Sequence, residues 1–460
     1  MSHSTLPPRS TSPFPDDFVW AAATASYQIE GAHDADGKGP SVWDRFCEKP
    51  GAVWNGDSGR IACNHYHRAE EDVALMAELG LRAYRFSVSW PRVLPRGAGS
   101  VNERGLDFYD RLVDLLLARG IEPYLTLFHW DYPLALFERG GWLADDSPAW
   151  FAEYTEVLAR RLGDRVKQWL TLNEPHAYIE GGLLDGRHAP GLTLPLADVT
   201  RAGHNTLLAH GRAVQVLRSM VPRARVGWAP VLVAATPETD SPEDIEAARA
   251  WTWQMRSSRL RVSSWWMDAV YLGQYPEDGL RQMGKSAPAV RSGDMELISQ
   301  KLDYFGCNLY DTVRVRRSAS GEPEEAPFPV GFPRTAFGWP VTPEGHYWGP
   351  RFAHERYGLP VLITENGLST RAWVATDGKV HDAERTDFLR RHLRELARAL
   401  ADGVPVLGYF HWSLLDNFEW NHGYRERFGL VHVDYETGTR TLKDSALEYA
   451  RIIRSGNLDA

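Results

Sequence analysis

Two glutamates stand out by their neighbours: Glu174 in T-L-N-E-P and Glu365 in I-T-E-N-G, each closing a short run of β-branched and apolar residues. A carboxyl group fixed at a strand end can carry a proton or attack as a carboxylate, and its surroundings decide which. A pair with opposed environments suits the cleavage of an acetal such as a glycosidic bond. One member protonates the leaving oxygen while the other supplies electron density to an oxocarbenium-like carbon. Taken singly, each glutamate is more often a solvated or ion-paired surface residue. The apolar strand before each, and the flanking Asn173 and Asn366, argue for a site.

Something must bring these two distant residues together. Short β-branched or aromatic runs at 18–22, 83–87, 122–127, 166–172, 225–229, 304–308, 361–364 and 406–410 predict eight strands. Helical patterns at 68–79, 105–119, 147–162, 196–220, 343–355, 384–401 and 442–454 lie between or after them. That alternation implies an α/β fold, a single-domain (β/α)8 TIM barrel with long βα loops over residues 14–455, preceded by a flexible N-terminal arm at 1–13. Residues 318–335, with their Gly, Pro and Glu, read as a long exposed loop covering a site.

The unusual residues fall at the strand ends. Tyr27 and Gln28 follow the first strand, Arg85 sits in the second, His129 and Trp130 follow the third, and Asn173 and Glu174 follow the fourth. Asn308 and Tyr310 mark the sixth, Glu365 and Asn366 the seventh, and Trp412, Glu419 and Trp420 the eighth. Barrel enzymes build their chemistry on that C-terminal rim. The 18 Trp exceed ordinary core needs, and flat rings with polar edges suit the C–H faces and hydroxyl rims of sugars, although most of these rings must still be core.

T-L-N-E-P, I-T-E-N-G and W-S-L-L-D-N-F-E-W together resemble family 1 glycoside hydrolases, the β-glucosidase family. A-T-A-S-Y-Q-I-E-G-A, Y-R-F-S-V-S-W-P-R, F-H-W-D, H-A-P-G, N-L-Y and G-Y-R-E-R-F-G-L-V extend the resemblance in order over residues 14–452. It implies a retaining β-glycosidase, most specifically a β-glucosidase acting by double displacement, with Glu174 as acid/base and Glu365 as nucleophile. It further implies Arg85, Tyr310 and Asn308 as catalytic support. Gln28, His129, Trp130, Asn173, Trp339, Trp412, Glu419, Trp420 and Phe428 are the implied substrate-binding residues. Asn173 suits the 2-hydroxyl, Trp412 the platform under the ring, and Trp339 a wall for the leaving group. Outside the motifs, Arg85 is as readily a structural ion pair, His129 a satisfied core histidine and Trp412 plain core.

Relatives acting on 6-phosphoglycosides replace the Glu-Trp pair that this chain keeps as Glu419–Trp420, so the resemblance implies an unphosphorylated sugar. Glucose, galactose and fucose stay open as the glycone. Tyr132, Leu134 and Phe137 suggest an apolar entrance preferring aryl or alkyl aglycones, and His411 is read as packing behind Trp412.

Other classes fare less well. The net charge of -9 argues against a nucleic-acid partner. His65 and His67 form H-x-H, but at the opening of a helix before the second strand, so a structural role is favoured and neither metal nor cofactor is expected. A catalytically inactive carbohydrate-binding protein on the same barrel is the alternative, disfavoured because both glutamates are present. Cys47, Cys63 and Cys307 form no metal-like cluster and read as reduced thiols, and no apolar run spans a membrane. The expected setting is the cytoplasm and the expected partner a small-molecule β-glycoside, with homo-oligomerisation compatible.

Overall fold

The computed structural model describes residues 12–458. Its central sheet has eight parallel strands: β1 (Val19–Ala23), β2 (Ala83–Ser87), β3 (Glu122–Phe128), β4 (Gln168–Asn173), β5 (Arg225–Ala229), β6 (Phe305–Asn308), β7 (Val361–Asn366) and β8 (Val406–Trp412). The order is β5-β4-β3-β2-β1-β8-β7-β6. Backbone bonds join its two ends, Asp303 N to Val226 O, Asn308 N to Pro230 O and Leu232 N to Asn308 O, each 2.9 Å. The sheet therefore closes into the expected barrel.

Strand residues alternate between two cores, as the pleat requires. Ala21, Ala23, Ala83, Tyr124, Leu170, Ala229, Tyr304, Leu362 and Phe410 fill the interior, while Trp20, Ala22, Tyr84 and Trp169 face the surrounding helices. Small residues on some strands make room for large rings from others: Tyr124 and Phe410 meet edge to face at 4.8 Å. Gly227 belongs to this fitting, since a Cβ there would stand 2.2 Å from the Tyr304 ring.

All eight expected strands are present, five of them running further toward the site, β1 to Ala23 and β4 to Asn173 among them. β3 reaches Phe128, β7 reaches Asn366 and β8 reaches Trp412. These extensions add residues such as Glu365 and His411, whose polar side chains hide strand character from a hydrophobic pattern. The helices His65–Leu79, Glu103–Ala118, Ser147–Leu162, Leu196–Met220, Gly345–Tyr357, Ala383–Ala401 and Asp444–Ser455 stand where periodicity puts them. In the first, Tyr66, Ala69, Val73, Met76 and Leu79 form the buried stripe.

The segment 318–335 corrects one expectation. Rather than one open loop, it begins as a hairpin in which Pro323–Ala326 pairs antiparallel with Thr312–Arg317, itself parallel to Ala234–Pro237. The alternation T-V-R-V-R-R at 312–317 supplies the pairing strand, and Arg316 reaches Glu324 across the hairpin at 3.3 Å. Most of the expected N-terminal arm lies outside the described residues. Phe14, just after it, is buried against Phe18 and Trp20 with centroids 4.8 Å away.

His65 is a structural residue, its Nδ1 2.7 Å from the buried Asp72, and Arg440 satisfies the same carboxylate; His67 is exposed. Cys47, Cys63 and Cys307 are free thiols. Among the described residues no helix is long and apolar enough to cross a membrane.

Candidate active site

The C-terminal rim opens into a cavity of about 510 Å³. Of the fourteen expected site residues, eleven line it directly, whereas Arg85, Asn308 and Gln28 stand behind the lining and hold it.

Arg85 organises the floor. From β2, its Nη1 donates to Glu365 Oε1 at 2.6 Å and to Thr364 O at 3.1 Å. Nη2 donates to Asn173 Oδ1 at 2.7 Å, and Nε to Thr126 Oγ1 at 3.0 Å. A planar fork with fixed donors is suited to joining four strands in this way. The Tyr310 hydroxyl donates to Glu365 Oε2 at 2.7 Å, so each oxygen of that carboxylate has its own donor.

Glu174 sits differently. Its backbone turns into the left-handed region (φ 45°, ψ 64°) where β4 gives way to the helix Pro175–Leu183, which swings the side chain over the pocket. Its polar contact is Asn308 Nδ2, donating to Oε1 at 2.8 Å, and Thr364 Oγ1 fixes that amide by donating to Asn308 Oδ1 at 2.7 Å. Trp130 (φ 79°) and Trp420 (φ 51°) also carry left-handed backbone, a costly state for bulky residues that aims their rings at the same cavity.

The two carboxyls therefore differ electrostatically. Burial and the nearby charge of Glu365 push Glu174 up to about 8, with the Asn308 bond a smaller opposing effect. Burial also raises Glu365, but Arg85 and the Tyr310 hydroxyl pull against it. Near neutral pH the proton shared between them resides on Glu174. Burial, then the charges of Glu365 and Glu174, raise Glu419 well above the usual carboxylate range.

On the eighth-strand side, Gln28 Nε2 donates to Asn417 Oδ1 at 3.0 Å, Phe418 O at 2.9 Å and Glu419 Oε2 at 3.3 Å. Asn173 Nδ2 donates to His129 Nε2 at 3.1 Å, and burial keeps His129 well below its ordinary value, hence neutral. With Nε2 accepting, the ring proton is assigned to Nδ1. That atom and Gln28 Oε1 are buried without a hydrogen-bond partner among the described residues. His129 stacks with Trp412 at 5.7 Å and Trp420 at 5.9 Å, while Trp130 packs on Trp420 at 4.4 Å. Opposite, Trp339 meets Tyr310 at 5.2 Å and Phe337 at 4.5 Å, with Phe428 behind.

A family model, glycosyl hydrolase family 1, matches residues 10–457. The chain belongs to this family. β-Glucosidase A of Thermotoga maritima is 44% identical over 452 residues, 97% of this chain and 99% of that one. An aryl-phospho-β-D-glucosidase of Bacillus subtilis is 41% identical over 457 residues, 94% of each. The solved structure of the Thermotoga maritima β-glucosidase in complex with glucoimidazole matches with a TM-score of 0.88 at 44% identity, covering 96% of this chain and 99% of that one.

Within this family 1 site, sequence reasoning missed several groups. Thr126, Thr364 and Asn417 hold Arg85, Asn308 and Gln28 in place. Thr364 and Asn417 lie inside the quoted motifs, so their position was the available signal. Phe337, Trp251, Arg256 and Arg261 also line the cavity and belong to no motif. Tyr132, Leu134 and Phe137 do not form its entrance: Tyr132 is buried against Trp90 and Trp142 at 5.2 and 4.9 Å, and with Phe137 it borders a separate small apolar cavity. The apolar side of the entrance comes instead from Val231, Val233, Trp251, Phe337 and Trp339. His411 is buried with its Nδ1 3.4 Å from the Tyr409 hydroxyl and its ring 6.1 Å from that of Tyr449.

Proposed function

We propose that this chain is a retaining β-glucosidase that hydrolyses terminal, non-reducing, unphosphorylated β-D-glucosyl residues by double displacement. The observation that carries the reading is the asymmetry of the two glutamates. Glu365 is gripped by one cation and one hydroxyl, and Glu174 is held by a single neutral amide with its carboxyl at about 8. Glu174, protonated at neutral pH, gives its proton to the leaving oxygen as Glu365 attacks the anomeric carbon and forms a glycosyl-enzyme ester. Once that ester forms, burial still raises Glu174, but the charge of Glu365 that added to it is gone, so its carboxyl falls and it becomes the base that activates water. Two inversions return the β configuration.

The sugar fits the cavity by chemistry. Trp412 offers an apolar face, and Gln28, His129, Trp130, Glu419 and Trp420 offer hydroxyl partners around its edge. Asn173, locked by Arg85 and Asn308, meets the 2-hydroxyl. The aglycone leaves past Trp339 and Phe337, an apolar wall that suits aryl or alkyl groups. Overall identity does not separate phospho-glucosidases from glucosidases here, since relatives of both names lie at 41–44%. Glu419 makes that distinction, because a phosphate would meet a carboxyl and no cation. With three free thiols we assign the protein to the cytoplasm. A binding-only role finds no support among relatives named for hydrolysis.

The direct test is release of nitrophenol from 4-nitrophenyl β-glucoside, galactoside and fucoside, with Glu365→Ala as control. The anomer formed first is read by NMR. Turnover that gives the β-anomer and vanishes in the variant is expected. The α-anomer as first product, or no turnover on any glycoside, would overturn the reading.

A further inference from the structure

The outer half of the cavity carries cations that the proposed glucoside chemistry does not use. Arg187, Arg256 and Arg261 line it and are exposed at its mouth. Arg256 and Arg261 come from the excursion between β5 and β6, across from the Gln28 and Glu419 side.

Their ion pairing is uneven. Arg187 has Asp185 at 3.6 Å. The buried Glu180 is the natural partner for this segment, yet it is consumed elsewhere: Arg259 pairs with its Oε1 at 2.5 Å, and its Oε2 accepts from the backbone of Leu260 and, at 2.9 Å, of Arg261. That fixes the Arg261 main chain and leaves its guanidinium with no carboxylate within ion-pair distance among the described residues. Arg256 lies over Trp251, its Cζ 3.4 Å from the ring centroid, and donates to Trp251 O, again with no carboxylate within ion-pair distance among the described residues. Two acids share the wall. Glu325 accepts from Trp251 Nε1 at 3.2 Å, and Asp311 has a carboxyl that burial raises against the charges of Arg261 and Arg334. Burial also lowers Arg256. A cation held on an aromatic face, partly desolvated and with no carboxylate in direct contact among the described residues, is a receptor for an anion.

We propose that the leaving-group half of this cavity recognises an anionic aryl aglycone, a phenolic carboxylate, whose ring lies between Trp339, Phe337 and Trp251 and whose carboxylate is met by Arg256 and Arg261. This rests on the β-glucosidase reading and sharpens its aglycone. The acidic groups Glu174, Glu365 and Glu419 are recessed around the sugar, so an elongated aglycone separates its own charge from theirs.

The test compares the β-glucoside of 4-hydroxycinnamate with the β-glucoside of its primary amide, the same shape without the charge. In the intact enzyme, kcat/KM for the acid is expected to exceed that for the amide by roughly tenfold or more, as charge-assisted bonds to arginine allow. The preference should shrink as salt rises. In Arg256→Gln/Arg261→Gln the acid-to-amide ratio should fall at least tenfold, and Arg256→Lys/Arg261→Lys should restore part of it. Taking the ratio within each variant cancels the difference in leaving-group acidity. No preference for the acid in the intact enzyme, or an equal loss on both substrates in the glutamine variant, would overturn the proposal while leaving a working β-glucosidase. Failure to hydrolyse 4-nitrophenyl β-glucoside and the other nitrophenyl glycosides would remove both readings.

Discussion

Arg85 Nη1 stands 2.6 Å from Glu365 Oε1, and neither side chain is more than 4% exposed. An ion pair so buried costs desolvation on both sides, and that cost is offset here because every neighbouring lone pair and donor is engaged: Thr126, Thr364, Asn173 and Tyr310 complete the set. The arrangement holds a carboxylate ready to attack inside an apolar barrel end.

Removing the cation should therefore cost both stability and activity. In Arg85→Met the uncompensated carboxylate should destabilise the fold by about 3–5 kcal/mol, the range for breaking a buried pair. Glu365 should also titrate at higher pH, because burial would then act unopposed by a cation. Urea unfolding and the acid limb of kcat/KM against pH read the two effects, and an unmoved acid limb would argue against Glu365 as the group that must be ionised.

Tyr310→Phe probes the other oxygen. Losing the 2.7 Å bond to Oε2 removes a hydrogen bond to a charged group, so kcat/KM should drop by about ten- to hundredfold. The acid limb should again shift upward, by less than with Arg85→Met. Because Trp339 and Phe428 pack against the same ring, the fold should tolerate the change.

Glu174→Gln should separate activity from stability. In the folded protein Glu174 titrates at about 8, against an ordinary 4.5. Between those values the folded state holds a proton that the unfolded chain has released, so this residue makes stability fall as pH rises through that window and level off above it. The glutamine cannot ionise, so its Tm advantage over the parent should be small near pH 5 and grow towards pH 8. Thermal unfolding at the two pH values tests this. Hydrolysis of glycosides with poor leaving groups should fall by about a hundred- to ten-thousandfold, the usual weight of a general acid, and the alkaline limb of the pH profile should disappear.

Much of this was legible in the sequence for a definite reason. Glu174, Glu365, Arg85 and Tyr310 sit in or just beyond strands whose apolar runs are easy to find, and a closed barrel brings all strand ends to one rim whatever their separation along the chain. Less legible was support of polar groups by other polar groups: nothing in the spelling of Thr364 says that it fixes Asn308, or of Asn417 that it holds Gln28. The apolar entrance was misassigned because Tyr132 and Phe137 follow a site motif in the chain but turn into the core beside Trp142. Arg256 and Arg261 come from an excursion between strands where neither periodicity nor motif operates, and only the fold carries them to the cavity.

The last prediction concerns the sugar's 6-position and Glu419. Gln28 Nε2 is its one side-chain hydrogen-bond donor among the described residues, at 3.3 Å, and Glu365 and Glu174 both raise it. A 6-phosphate would bring a dianion into this buried corner, while Arg85 on the floor of the same site is already engaged at Glu365, Asn173, Thr126 and Thr364. A buried dianion without a cation beside it costs several kcal/mol, so the enzyme should favour 4-nitrophenyl β-glucoside over its 6-phosphate by about a hundredfold or more in kcat/KM. Replacing the carboxyl by a smaller group, Glu419→Ser, should narrow that ratio from both sides, by weakening the hold on the free sugar and by making room for the phosphate. Addition of salt should leave the parent's preference largely in place, since the contact is buried and poorly screened. Comparable rates on the two substrates in the parent enzyme would show that a cation not seen beside Glu419 reaches the phosphate.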